Sequence, residues 1–374
     1  MTFIERIKTP GPKKILALDG GGIRGMITVE VLDKIEDLLR KALRRDSRFV
    51  LADYFDYFSG TSTGAIIAAA LSLGWPAQKI RRFYLASGEQ MFDSASLLKK
   101  FKYKYEDAEL ARTLKQEFGA KTTLGSKRLK TLLMMVMRNA STDSPWPISN
   151  NPYAKYNDKS RDNCNLDLPL WQLVRASTAA PVYFPPEKVT IGTKDFIFVD
   201  GGITMYNNPA FHTFLMATLE PYKLNWATGE DQLLVVSLGT GTSPEANADL
   251  DPSRMNLLYN AASIPSALMF AALNEQDLLC RVFGKCLHGD VLDREVGDLI
   301  DETGEMNWPV KNKCFTYVRY NAELSSQGLA ALGLKNIKPE NVQKLDSVKH
   351  IKDLQRVGKA VAKQVHKDHF KAFL

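Results

Sequence analysis

Lys14-Ile15-Leu16-Ala17-Leu18-Asp19-Gly20-Gly21-Gly22-Ile23-Arg24-Gly25 is the stretch on which the fold turns. A short apolar run ends abruptly in an acid and three glycines, which reads as a strand followed by a tight loop. Beyond the loop, Val31, Leu32, Ile35, Leu38, Leu39, Ala42 and Leu43 recur at helical spacing. Strand, glycine loop and helix in that order predict an α/β fold.

A second unit repeats the pattern. Tyr54–Ser59 is strand-like, Gly60-Thr61-Ser62-Thr63-Gly64 is a tight turn, and the uncharged Ala65–Leu71 predicts a buried helix. Leu170–Ala180 is helical up to Pro181. Phe196–Val199 is a strand that runs into Asp200-Gly201-Gly202, and Leu233–Leu238 is a strand that ends at Gly239-Thr240-Gly241. Apolar strands without alternation predict a sheet covered on both faces. Residues 140–165, rich in Asn, Ser, Asp and Pro, predict a long surface loop, and 245–310 predict mostly helix. Ile351, Leu354, Val357, Val361 and Val365 make the apolar stripe of a closing helix whose other face is basic. No internal repeat or linker interrupts the chain. The expectation is therefore a single domain over 1–374, with core motifs at 13–245 and a mainly helical extension at 246–374.

The 374 residues include 49 Lys plus Arg and 42 Asp plus Glu, a net charge of +7, and 45% hydrophobic residues. That composition excludes fibrous and wholly disordered classes. Four cysteines without a CxxC pair argue against a disulfide scaffold or a four-cysteine zinc site. No h-region opens the chain, and no apolar run reaches the roughly 20 residues of a bilayer span. The expected setting is cytoplasmic. A sequence pI near 9.0 permits contact with anionic lipid or nucleic acid without choosing between them.

Gly60–Gly64 fits G-x-S-x-G between strand and helix. A nucleophilic serine needs a sharp turn that lifts its hydroxyl clear of the sheet, and Gly60 and Gly64 remove the Cβ clashes of such a turn. The alternative is a glycine-rich structural turn, which the strand–turn–helix context disfavours. Ser62 needs a base. His212, His288, His350, His366 and His369 lack flanking motifs and read as core or surface groups, so a Ser-His-Asp triad has little support. Asp200 ends a strand and is followed by two glycines, which places its carboxylate where α/β sites form; alone, it reads as well as a simple Asp-Gly turn. The Asp19–Gly25 loop offers backbone N–H groups to an oxyanion, with Arg24 adding charge. Its match to G-x-G-x-x-G is weak, because Lys41–Arg45 stands where a nucleotide fold wants an acid, and no Walker lysine follows.

In order, these blocks resemble the patatin-like phospholipase family: D-G-G-G-x-R-G at Asp19–Gly25, G-x-S-x-G at Gly60–Gly64 and D-G-G at Asp200–Gly202. Arg175–Pro185, Asn207-Asn208-Pro209 and Ser237–Gly241 are similar to further family blocks, and Leu345-Asp346-Ser347 to the last one. The resemblance implies a three-layer α/β/α sandwich around a mostly parallel sheet. It implies Ser62 as nucleophile, Asp200 as base, and an oxyanion hole from Gly20, Gly21, Gly22, Arg24 and Gly25. It implies metal-independent hydrolysis of glycerophospholipid acyl esters through an acyl-Ser62 intermediate. The chain also resembles compact bacterial members that act in anti-phage defence when a cyclic oligonucleotide activates them. That branch implies a cyclic dinucleotide ligand in a basic pocket away from the dyad, with no polymeric nucleic acid as partner. It also implies a peripheral position at the inner membrane face when active; a homo-oligomer is compatible with this. The competing readings are a constitutive lipid or soluble-ester hydrolase, a storage or binding protein on the same fold, and a phosphate-binding turn of the sugar-kinase type.

Basic residues have a use at a lipid interface. Lys99, Lys100, Lys102 and Lys104 alternate with Phe101, Tyr103 and Tyr105. They read either as a headgroup-docking patch or as a solvated face with packed aromatics. The lysines of the closing helix pose the same choice.

Overall fold

The computed structural model describes residues 3–92, 103–181, 184–242, 257–292 and 310–374, with backbone alone at Gln90, 103–109 and 257–266. The helices are α1 (Phe3–Lys8), α2 (Gly25–Ala42), α3 (Thr63–Ser72), α4 (Ala77–Phe92), α5 (Tyr103–Phe118), α6 (Leu170–Ser177), α7 (Ala210–Thr218), α8 (Leu257–Phe283), α9 (Ser326–Ala331), α10 (Pro339–Val342) and α11 (Ile351–Ala362). The strands are β1 (Lys13–Leu18), β2 (Tyr57–Thr61), β3 (Leu132–Asn139), β4 (Ser144–Ser149), β5 (Glu187–Ile191), β6 (Lys194–Asp200), β7 (Leu233–Leu238), β8 (Gly284–His288) and β9 (Phe315–Tyr320).

All nine strands join one sheet in the order β5-β6-β3-β2-β1-β7-β9-β8, with β4 on the other edge of β3. The central strands β3, β2, β1, β7, β9 and β8 are parallel; β4 and β6 run antiparallel to β3, and β5 pairs antiparallel with β6. Alternate residues of β1 feed the two layers. Leu16 and Leu18 pack with α2, α3, α4, α6 and α11, whereas Ile15 and Ala17 pack with α1, α7 and α8. Burial on both faces explains why these strands carry no polar alternation.

Three expectations need correction. Tyr54, Phe55 and Asp56 precede the second strand, which begins at Tyr57 and runs through Gly60 and Thr61. Tyr54 and Phe55 are buried all the same, so hydrophobicity alone misplaces the boundary. The expected loop at 140–165 contains β4, whose Pro145 and Pro147 lie on an edge strand that tolerates a missing N–H. The expected helical tract at 245–310 contains β8, which extends the sheet beyond β9.

The closing helix matches its stripe. Leu354, Val357 and Val361 are fully buried, while Lys352, Arg356 and Lys359 face water. Lys99, Lys100, Phe101 and Lys102 lie outside the described residues, and the side chains of Tyr103, Lys104 and Tyr105 are not described.

Candidate active site

Strand pairing brings Ser62 to Asp200. β2 pairs with one edge of β3 up to Thr61↔Val136, and β6 takes over the same edge at Asp200↔Met137. The two strands approach head to head, so the residue leaving β2 meets the residue ending β6. Ser62 Oγ donates to Asp200 Oδ2 at 2.6 Å. Asp200 Oδ1 accepts the Gly202 N–H at 2.6 Å, which turns the carboxylate toward the serine.

The turn holding Ser62 is strained. Its backbone stands at φ 55°, ψ −122°, a region L-residues rarely occupy. Three contacts hold it there. The Ser62 N–H donates to Ser177 Oγ at 3.0 Å, Ser177 Oγ donates in turn to the Val136 carbonyl at 2.5 Å, and the Ser62 carbonyl accepts the Ala65 N–H at 2.8 Å as α3 begins. A Cβ at Gly60 would collide with the Gly64 carbonyl, and one at Gly64 with the Leu18 carbonyl. Glycine at both positions is therefore a packing requirement of strand and helix crossing this closely.

Both side chains are secluded: Ser62 is 8% exposed and Asp200 5%. Burial pushes the Asp200 carboxyl up to about 6, with the bonds from Ser62 and Gly202 pulling the other way.

The glycine loop lies beside the pair. Pairing aligns Leu18 with Gly60 on one side and with Leu238 on the other, so the loops after β1, β2 and β7 leave the same end of the sheet. Ser62 Cβ stands 3.3 Å from the point where a Gly20 Cβ would be. Several amides of the loop are already occupied. The Gly20 N–H goes to the Asn207 carbonyl at 3.1 Å, the Arg24 N–H to the Gly21 carbonyl at 3.2 Å, and the Gly25 N–H to the Gly22 and Ile23 carbonyls. Among the described residues, the amides of Gly21 and Gly22 have no such acceptor. The Arg24 guanidinium turns away to the Gln343 carbonyl at 3.0 Å, where burial lowers its pKa to about 10. Of the five loop residues expected to line an oxyanion hole, Gly21 and Gly22 alone keep free backbone donors, because the 3-10 turn at Gly22–Arg24 consumes those of Arg24 and Gly25 and the Asn207 carbonyl takes that of Gly20.

Sequence reasoning missed what fastens the loop. Arg319 on β9 grips Asp19 from Nη1 and Nη2, at 3.4 and 2.7 Å, and donates to Ser237 Oγ at 2.5 Å. Its Nε lies 3.7 Å from Asp277 of α8. Against the cost of burial, Asp19, Tyr317 and Asp277 hold this guanidinium well above its usual range. Thr240 Oγ1 donates to the Gly20 carbonyl at 2.8 Å, and the Leu345 carbonyl accepts the Ile23 N–H at 2.9 Å. No local pattern marks Arg319, which lies 300 residues from Asp19.

His212 is buried and stacked on Tyr206 at 4.1 Å between ring centroids, and burial lowers its pKa to about 4. His288 and His369 stack on each other at 5.1 Å, with His369 bonded to Tyr320. None of these three histidines bonds Ser62 or Asp200. Among the described residues no group of three or more His, Cys, Asp or Glu side chains is placed to hold a metal ion. No described helix is long and apolar enough to cross a membrane.

A family model described as patatin-like phospholipase matches residues 16–214, the span that carries the glycine loop, the Ser62 turn and Asp200. This chain belongs to the patatin-like phospholipase family. Patatin group J-1 of Solanum tuberosum is 30% identical over 251 residues, covering 62% of this chain and 61% of that protein. Patatin-17 of Solanum cardiophyllum is 29% identical over 252 residues, with coverage of 62% and 61%. This patatin-like chain thus spans about three fifths of the length of the curated relatives it matches. Among solved structures, VipD from Legionella pneumophila aligns over 93% of this chain and 67% of its own, at TM-score 0.38 and 15% identity. The type III effector protein ExoU aligns over 72% and 54%, at TM-score 0.25 and 13% identity.

Proposed function

We propose that this chain is a serine acyl hydrolase that cleaves fatty-acyl esters of membrane glycerophospholipids. The observation that carries the reading is the 2.6 Å bond from Ser62, on its strained turn, to the buried Asp200 carboxylate. Ser62 Oγ adds to the ester carbonyl carbon while its proton passes to Asp200 Oδ2. The oxyanion so formed takes the Gly21 and Gly22 amides. Collapse breaks the bond to the glycerol oxygen, which leaves with the proton held by Asp200. Water then attacks the acyl-Ser62 ester, again giving its proton to Asp200. Release of the fatty acid returns that proton to Ser62. A carboxylate whose pKa has been raised toward neutrality suits this shuttle better than one near 4.

The finer reading places the chain in anti-phage defence, activated by a cyclic oligonucleotide and working from the cytoplasm at the inner membrane face. What supports it is a basic cavity lined by Arg6, Lys14, Arg45, Lys127, Lys130 and Lys159, with Asp53 and Asp56 its acids. Lys14 lies at the start of β1 and the glycine loop at its end, so the cavity is about 20 Å from the dyad. A small polyanion would be held there by charge.

One experiment tests both levels. Mixed phospholipid vesicles are incubated with wild type, Ser62→Ala and Asp200→Asn, with and without cyclic dinucleotides, and products are read by mass spectrometry. Free fatty acid and lysophospholipid are expected from wild type, with a loss of about a thousandfold or more in each variant. Activity retained in either variant would overturn the dyad. Equal wild-type rates with and without nucleotide would remove the activator and leave a constitutive lipid hydrolase.

A further inference from the structure

Besides residues 57–78, which carry the buried Ser62 turn and α3, the chain has two long stretches without a single Asp, Glu, Lys or Arg: residues 201–219 and 255–274. In a protein with 24% charged residues both are unusual. The fold brings them together at the Asp200-Gly201-Gly202 turn. Met269 of α8 lies 3.7 Å from the point where a Gly202 Cβ would stand. Where the stretches meet, large apolar side chains face water: Ile203 is 39% exposed, Met205 51% and Leu268 65%.

These side chains do not project from a slack loop. The Thr204 N–H and hydroxyl both donate to the Gly201 carbonyl, at 2.9 and 2.7 Å, and the Tyr206 N–H donates to Thr204 Oγ1 at 3.2 Å. The Tyr206 carbonyl accepts from Thr61 Oγ1 at 2.6 Å, next to the nucleophile. The backbone on both sides of Met205 is thus fastened to the turns that carry Asp200 and Ser62. Holding aliphatic side chains in water has a free-energy cost, and a fixed backbone prevents them from folding away.

We infer that Ile203, Met205 and Leu268 form an apolar rim that inserts into a lipid bilayer and seats the surface against the Ser62–Asp200 pair. The inference rests on the acyl-hydrolase reading and names the partner of that same site. Two features favour a bilayer over a soluble partner. The rim is continuous with the turn carrying Asp200, and a bilayer both covers aliphatic side chains and contains the acyl esters that the pair would cleave. Charge complementarity points the same way: a rim with no ionic group matches hydrocarbon and offers nothing to a charged protein face. Docking through this rim is driven by apolar insertion, so it should depend little on salt or on anionic lipid.

The test compares wild type, the single variant Leu268→Ser, and the triple variant Ile203→Ser, Met205→Ser and Leu268→Ser. The readouts are cosedimentation with phosphatidylcholine vesicles, fatty-acid release from them, and hydrolysis of the water-soluble ester p-nitrophenyl butyrate. Expected for the triple variant is a fall of about tenfold or more in vesicle binding and vesicle turnover, with soluble-ester turnover within about twofold of wild type. Leu268→Ser alone, on α8 and not on the chain segment that carries Asp200, should show a smaller loss of the same kind. Wild-type vesicle binding should change little between about 0.05 and about 0.5 M salt. Unchanged vesicle turnover in the triple variant would overturn the inference. So would equal losses on vesicles and soluble ester in both variants, which would mean a distorted site. Light scattering that shows a lipid-free dimer broken by these substitutions would reassign the rim to self-association. Failure of the underlying reading looks different: wild-type turnover of p-nitrophenyl butyrate would survive Ser62→Ala.

Discussion

At Ser62, local backbone energy and chemistry conflict. A φ of 55° on a β-unbranched L-residue costs about 1–3 kcal/mol, yet it is what points Oγ at Asp200. Asp200 is in a similar position, since its carboxyl is buried where water would have stabilised its charge. The consequence for pH has a definite sign. The folded chain holds this proton up to about 6 instead of 3.8. Asp200 therefore contributes most to stability below 3.8, and that contribution is lost as pH rises through about 6. Activity runs the opposite way, because the base must be ionised. The kcat/KM of wild type should fall below about pH 6 and level off above it, as read from a pH–rate profile on a soluble ester. Asp200→Asn should abolish turnover yet raise stability at pH 8 by roughly 1–3 kcal/mol, read from the denaturation midpoint. A destabilised Asp200→Asn would show that the carboxylate is not the strained partner.

At the scale of elements, the glycine loop is held by strands rather than by its own chemistry. Arg319 ties the end of β1 to β7 and α8 in one buried cluster. Breaking a buried ion pair from one side leaves an uncompensated charge and typically costs about 3–5 kcal/mol. Arg319→Met should therefore lower stability by about that amount and uncouple the loop. Arg319→Lys keeps the charge but loses the two-nitrogen grip, and should recover stability more fully than it recovers kcat. Thermal melts beside steady-state kinetics separate the two effects. Parallel recovery of both by lysine would reduce Arg319 to a packing residue.

Across the whole molecule, the far end of the chain closes over the near end. The carbonyls of Gln343 and Leu345 receive Arg24 and the Ile23 N–H, and α11 buries Leu354, Val357 and Val361 in the same layer as α2. Removing residues 343–374 would expose that layer and free the glycine loop. Such a truncation should lose cooperative unfolding and labelling of Ser62 by a fluorophosphonate probe. Full labelling with an unchanged melting temperature would show that the core stands without it.

The ordered blocks at Asp19–Gly25, Gly60–Gly64 and Asp200–Gly202 were legible because each combines a strand end, a backbone demand that only glycine meets, and an acid or a hydroxyl. Those are local requirements, and they leave a local trace in the residue order. The pairing of Ser62 with Asp200 needed the sheet, because it arises where β2 and β6 share one edge of β3. β4 and β8 were hidden for a related reason: an edge strand with two prolines and a short strand after a long helix have no period of their own. The free donors at Gly21 and Gly22, the grip of Arg319 and the rim at Ile203, Met205 and Leu268 depend on contacts between segments far apart in the chain. The sequence by itself determined which residues were chemically equipped to act. Only the tertiary structure decided which amides stay free, which charges meet, and which apolar side chains remain in water, because hydrogen bonding and burial are settled by neighbours that chain order does not specify.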